Sequence, residues 1–109
     1  MIIRIHQINP ERDTENRKFE QYEGNIDLDI YDEVFMGRVN ANDLEDVWNE
    51  FNIRSYEGQY LAGHSLSVSD IVDVLEGTDQ VEKGKYYCDC IGWKKLNEFV
   101  WIGGKLWEK

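Results

Sequence analysis

Gly63-His64-Ser65-Leu66-Ser67-Val68-Ser69-Asp70, followed by Ile71-Val72-Asp73-Val74 and then by Tyr86-Tyr87-Cys88-Asp89-Cys90-Ile91-Gly92-Trp93, decides the fold of this 109-residue chain. Val72 to Leu75 is apolar and broken once, by Asp73, while Lys85 to Ile91 is a second strand-like run rich in tyrosine. Between them lie Gly77-Thr78-Asp79-Gln80 and Lys83-Gly84, residue types that reverse a chain, so the two runs are predicted to pair as an antiparallel hairpin. Ahead of the first run, Ser65, Ser67, Ser69 and Asp70 offer side-chain hydrogen bonds that end a loop. Ser67 and Asp70 have the spacing of a helix-starting pair, and a brief helix is expected there.

Working outward, Ile2 to Ile8 is β-branched and interrupted by Arg4 and His6, which predicts an opening strand, and Asn9-Pro10 turns the chain. The polar segment Asp13 to Glu23 is read as a short helix or loop holding Phe19 and Tyr22 inward. Ile26, Leu28 and Ile30 alternate with Asp27 and Asp29, a strand pattern with a carboxylate face, and Tyr31 to Val39 continues it across a bulge or as a further strand. Asn42 stands three residues before Glu45, and Leu44, Val47, Trp48 and Phe51 then recur at helical spacing, which predicts the clearest helix of the chain. Gly92 to Phe99 is read as one helical turn, and Val100 to Trp107, with Gly103-Gly104 inside, as a final strand pair or a tail. The fold class expected is α+β: one domain over residues 1 to 109, a small antiparallel sheet with two or three short helices.

At 41% hydrophobic residues the chain has enough apolar material for an ordered core. Its net charge of −10 is unevenly placed: residues 20 to 82 hold sixteen Asp and Glu against Arg38 and Arg54, and residues 83 to 109 hold six Lys against three acids. Such a surface repels nucleic acid and anionic membranes and is drawn to basic grooves, so neither direct DNA binding nor a membrane partner is expected. Cys88 and Cys90 are two residues apart on a predicted strand, read as buried thiols of a reducing compartment. With His6 and His64 they match no usual zinc spacing. Met1 to His6 lacks the apolar core of a signal peptide, and a cytoplasmic protein is expected.

His64 among Ser65, Ser67 and Ser69 with Asp70 invites comparison with a hydrolase triad, but the run is not a G-x-S-x-G elbow. No Asp or Glu is followed two residues later by Lys, no calcium loop is spelled by Asp27, Asp29, Asp32 and Glu33, and no nucleotide-binding glycine motif occurs. No catalytic residue, metal or cofactor is therefore expected. Only Lys83, Lys85, Lys94, Lys95 and Lys105 with Trp93, Trp101 and Trp107 could supply a nucleic-acid stripe, a weak one against a net −10, and the tryptophans are read as core or interface residues.

The phrase carried by Gly63, His64, Ser65, Ser67, Ser69, Asp70, Tyr87, Asp89, Gly92 and Trp93 resembles the YodL-like family of small bacterial and mobile-element proteins, over about residues 30 to 95. The resemblance implies a setting on phages and conjugative elements. Combined with the acidity, it leads to a non-catalytic inhibitory binding protein: an anti-CRISPR of type II or an antirestriction protein. Its partner would be an RNA-guided nuclease or restriction enzyme with a basic nucleic-acid channel. Asp27, Asp29, Asp32 and Glu33 with Asp43, Glu45, Asp46 and Glu50 are the expected phosphate surrogates. The alternatives are a modulator of the bacterial actin-like cytoskeleton, which the family's namesake implies, and an accessory interaction module.

Overall fold

A computed structural model describes residues 1–54, 65–96, 99–102 and 105–108. The expectations for Gly63, His64 and Gly103-Gly104 lie outside the described residues. Strand β1 (Ile2–Ile8) forms where the sequence alternates, because Ile3 and Ile5 are fully enclosed while Arg4 and His6 point the other way. It sits between β3 (Tyr31–Arg38) and β4 (Ile71–Glu76). The predicted hairpin then pairs β4 with β5 (Gly84–Cys88), and β5 pairs with β6 (Trp93–Leu96). The five strands run β3-β1-β4-β5-β6, every neighbour antiparallel. A second sheet has the order β2-β8-β7, from β2 (Asn25–Ile26), β7 (Phe99–Ile102) and β8 (Lys105–Glu108).

The large sheet is covered on both faces. On one face Ile3, Ile5, Phe35, Val72, Val74 and Tyr86 pack with Leu44, Val47, Phe51 and Leu66. The first three of that latter group come from helix α1 (Leu44–Asn49) and its π-helical continuation, Glu50–Arg54. Phe35 and Phe51 meet edge to face, 4.9 Å between ring centres. On the other face Ile71, Tyr87 and Leu96 pack with Ile26, and with Tyr22 and Tyr31, beneath the small sheet.

The helix expected from Leu44, Val47, Trp48 and Phe51 is present, but its start is one residue later than the Asn42–Glu45 pairing implied. Asp43 is the N-cap, accepting from the Asp46 amide at 2.8 Å, and Asp46 reaches back to accept from the Asn42 amide at 2.9 Å. Otherwise the chain is more β-rich than expected, with α1 the one α-helix among the described residues. No helix forms after Ser67: Ser69 lies at φ 82°, a left-handed conformation, and Asp70 turns inward instead of capping. Trp93–Leu96 is strand because β5 offers it a complete ladder. The alternation at Ile26 to Ile30 yields only a two-residue strand and a 3-10 turn, Leu28–Ile30, since Asp27 captures the Asp29 amide at 3.1 Å in place of a sheet partner. Phe19 is 57% exposed, not inward; Tyr22 alone of that pair packs inside. Cys88 is buried, while Cys90 has left the strand and is exposed. Among the described residues no helix is long and apolar enough to cross a membrane.

Candidate functional site

Antiparallel register places the polar interruptions of three strands side by side. Arg4 of β1 lies opposite Met36 of β3 and Asp73 of β4, and Asp73 lies opposite Lys85 of β5. One step along, His6 lies opposite Glu33 and Ile71. These residues share the face that looks toward the small sheet, where Arg4, His6, Asp73, Lys83 and Lys85 line a cleft of about 760 Å³. Its apolar walls are Ile26, Leu28, Tyr31, Ile71, Leu96 and Leu106.

Within the cleft Arg4 pairs with Glu33 at 2.7 Å and Lys85 with Asp73 at 3.6 Å. Burial lowers the pKa of His6, against the opposing pull of Asp73 and Glu33, so its imidazole is neutral at pH 7. Lys83 is exposed and has no ion-pair partner among the described residues. The cleft went unread in the sequence, although Arg4, His6 and Asp73 each break an apolar strand. That signal marks a polar face but does not say which strands stand next to one another.

The Ser67–Asp70 motif lies at the start of β4, next to Ile71 and Tyr31 of the cleft. Asp70 is 1% exposed, and its Oδ2 accepts from the Ser67 amide at 2.9 Å and from Gln7 Nε2 at 3.0 Å. Burial pushes its pKa up to about 7, with those hydrogen bonds from Ser67 and Gln7 opposing the rise. Its backbone carbonyl accepts from the Cys88 amide, and Ser69 donates its own amide to Cys88 in return. The Ser69 hydroxyl accepts from the Phe19 amide at 3.0 Å, and the Tyr31 hydroxyl donates to the Ser69 carbonyl at 2.7 Å. Burial raises the pKa of Tyr31 and of Tyr87, keeping both phenols protonated donors. Tyr87 spends its proton on the Glu20 carbonyl at 2.8 Å.

Asp89 accepts from the Tyr22 amide at 3.1 Å and the Cys90 amide at 2.8 Å, and Gly92, at φ 73°, lets the chain turn back into β6. Trp93 packs half-buried against the helix-side core, and Ser65 is exposed. The described motif residues from Ser67 onward thus tie the 13–23 segment, β1, β4 and β5 together. The Cys88 thiol beside them is pushed up to about 12 by burial and stays protonated.

The eight acidic residues expected to act together are divided between two regions. Asp27, Asp29, Asp32 and Glu33 run along the 3-10 turn into β3, and Glu33 belongs to the cleft face. Asp43, Glu45, Asp46 and Glu50 lie on or beside α1, which covers the other face. Several are engaged within the chain. Asp27, Asp43 and Asp46 cap backbone amides, Glu33 holds Arg4, and Asp32 holds Arg12 and Asn9. The Arg12 guanidinium keeps the Asp32 carboxyl below the usual carboxylate range. Asp29 and Glu45 are exposed; Glu50 is half-buried.

No curated protein and no solved structure matches the chain. The profile of the YodL-like domain matches residues 2–99, a span that takes in the large sheet, helix α1 and the Asp70 and Asp89 motifs. On that match, the chain is a member of the YodL-like domain family.

Proposed function

We propose that this domain is a non-catalytic binding protein that inhibits a host defence nuclease, RNA-guided or restriction-type, through the acidic edge of β3. The observation that carries the reading is the position of β3. It is an eight-residue edge strand, paired with β1 on one side only among the described residues. Asp29, Asp32 and Glu33 are exposed on it or on the turn that feeds it. An open edge with carboxylates resists self-association and favours a cationic partner. The contact set is then smaller than the sequence suggested: Asp29, Asp32 and Glu33, without the α1 acids, and without Asp27, which like Asp43 and Asp46 is committed to capping.

Arg12 and Arg4 already neutralise part of this edge, but exposed ion pairs contribute only about 0–1 kcal/mol. A groove lined with several cations outcompetes them at small cost. The family's setting on phages and conjugative elements, implied by the resemblance, supports host defence enzymes as the target class.

The test is DNA cleavage by a type II RNA-guided nuclease and by restriction endonucleases of the native host, with wild type, an Asp29→Lys/Asp32→Lys/Glu33→Lys variant and Glu45→Lys. Inhibition abolished by the triple variant and retained by Glu45→Lys supports the edge. Inhibition that survives the triple variant, or is absent from the wild type, excludes it.

A second reading, a modulator of the actin-like cytoskeleton working through an apolar patch, is favoured by one feature. Ile102 and Trp107 are exposed on the β7–β8 hairpin, where the indole donates to the Ile102 carbonyl at 3.1 Å. Rounded cells on expression, lost in Trp107→Ala, would support that version.

A further inference from the structure

We infer that the cleft between the two sheets is a binding site for a small amphipathic anion, a molecule with an apolar body and one carboxylate-like head. Size is the first argument, since about 760 Å³ lies within the ~300–1,000 Å³ typical of small-molecule sites. Chemistry is the second. The walls divide into an apolar part, Ile26, Leu28, Ile71, Leu96 and Leu106, and a polar part built on the strand ladder. Charge is the third: Arg4, Lys83 and Lys85 line the cleft against Asp73 in the lining and Glu33, which pairs with Arg4 at 2.7 Å, leaving Lys83 as the cation in excess on a chain whose net charge is −10.

A head of negative charge is therefore favoured where most of the protein's surface would reject it. Lys83 and Lys85 are both exposed, at the turn into β5 and on its first residues, so they are available to meet the head group. Lys85 is held by Asp73 only loosely, at 3.6 Å, and can serve both carboxylates. The neutral His6 and the phenol of Tyr31 add polar edges that do not repel an anion. The apolar body lies between Leu28 and Leu106 on one side and Ile71 and Leu96 on the other. This site adjoins the acidic edge proposed above through the Arg4–Glu33 pair, but the inference does not depend on that reading.

The experiment is titration calorimetry of the full chain with dodecanoate, dodecanol and dodecyltrimethylammonium, repeated with Lys83→Glu and Leu28→Asp. Both substituted residues are exposed, so both variants are expected to fold, as circular dichroism will check. Saturable dodecanoate binding is expected, weakened about tenfold or more by Lys83→Glu and also by Leu28→Asp, with the cationic analogue at least about tenfold weaker than dodecanoate. Dodecanol is expected to fall between the two. Absence of saturable dodecanoate binding, equal affinity for the cationic analogue, or dodecanoate binding unchanged in either folded variant would overturn the inference.

Discussion

Asp70 is a carboxylic acid enclosed almost completely by β1, β4 and β5, and its titration couples to folding. Unfolded, it titrates near 3.8; folded, near 7, because burial disfavours the charged form more than Ser67 and Gln7 favour it. Between those pH values the folded state holds a proton that the unfolded chain has released. The stabilising contribution of this group is thus fully present below about pH 4 and is lost as pH rises toward 7. Asp70→Asn keeps an acceptor for the Ser67 amide and removes the titration. Urea unfolding across pH 4 to 8 is expected to show the variant gaining on wild type as pH rises to about 7, by at most about 1.4 kcal/mol per unit, and holding level above it. A difference independent of pH would contradict this account. Asp70→Ala at low pH is expected to cost more, about 1–3 kcal/mol for each buried donor left without an acceptor.

At the scale of single elements, α1 holds one face of the large sheet through residues of unequal weight. Val47 and Phe51 are 0% and 2% exposed, whereas Trp48 is only partly buried against the same cluster. Phe51→Ala is expected to cost about 3–5 kcal/mol, since it empties the site packed against Phe35. Trp48→Ala should cost roughly half as much, because part of the ring already faces water. Asp43→Ala should cost about 1 kcal/mol through the lost cap. Thermal unfolding of the three variants gives the order directly, and Trp48→Ala exceeding Phe51→Ala would mean the helix packs by a different face. The apolar spacing of this helix was readable in the chain; its cap was misplaced by one residue, because Asn42 and Asp43 are equally good caps and only the packing of Leu44 chooses between them.

For the whole molecule, sixteen acids against two arginines over residues 20 to 82 describes composition and leaves geometry open. Folding sends the eight candidate acids to two faces and sets Arg4 and Arg12, both outside that span, against Glu33 and Asp32. Binding through the β3 edge is expected to weaken about tenfold or more between ~0.05 and ~0.3 M salt, as charge-driven contacts do, while contact through Ile102 and Trp107 should change little. Measuring affinity for the inhibited nuclease or for the filament protein at those two ionic strengths separates the readings. Salt-tolerant binding would remove the acidic edge from consideration.

Strands β1, β4 and β5 were legible because each carries a dense β-branched or aromatic run bounded by turn residues, and the β4–β5 hairpin because its glycine turns are local. For 99–102 and 105–108 the sequence leaves a strand pair and a tail open, and the structure has the pair. By itself, then, the amino-acid order determined the elements whose signals lie within a few neighbouring residues, the family phrase and the overall acidity. Only the tertiary structure decided that Ser67–Asp70 is a buried junction rather than a helix start, that Arg4, His6, Asp73 and Lys85 adjoin across three strands, and that the carboxylates separate. Each of those depends on strand order and register, which bring together residues up to 81 positions apart, as from Arg4 to Lys85. Local hydrogen bonding and periodicity carry no information about such distances.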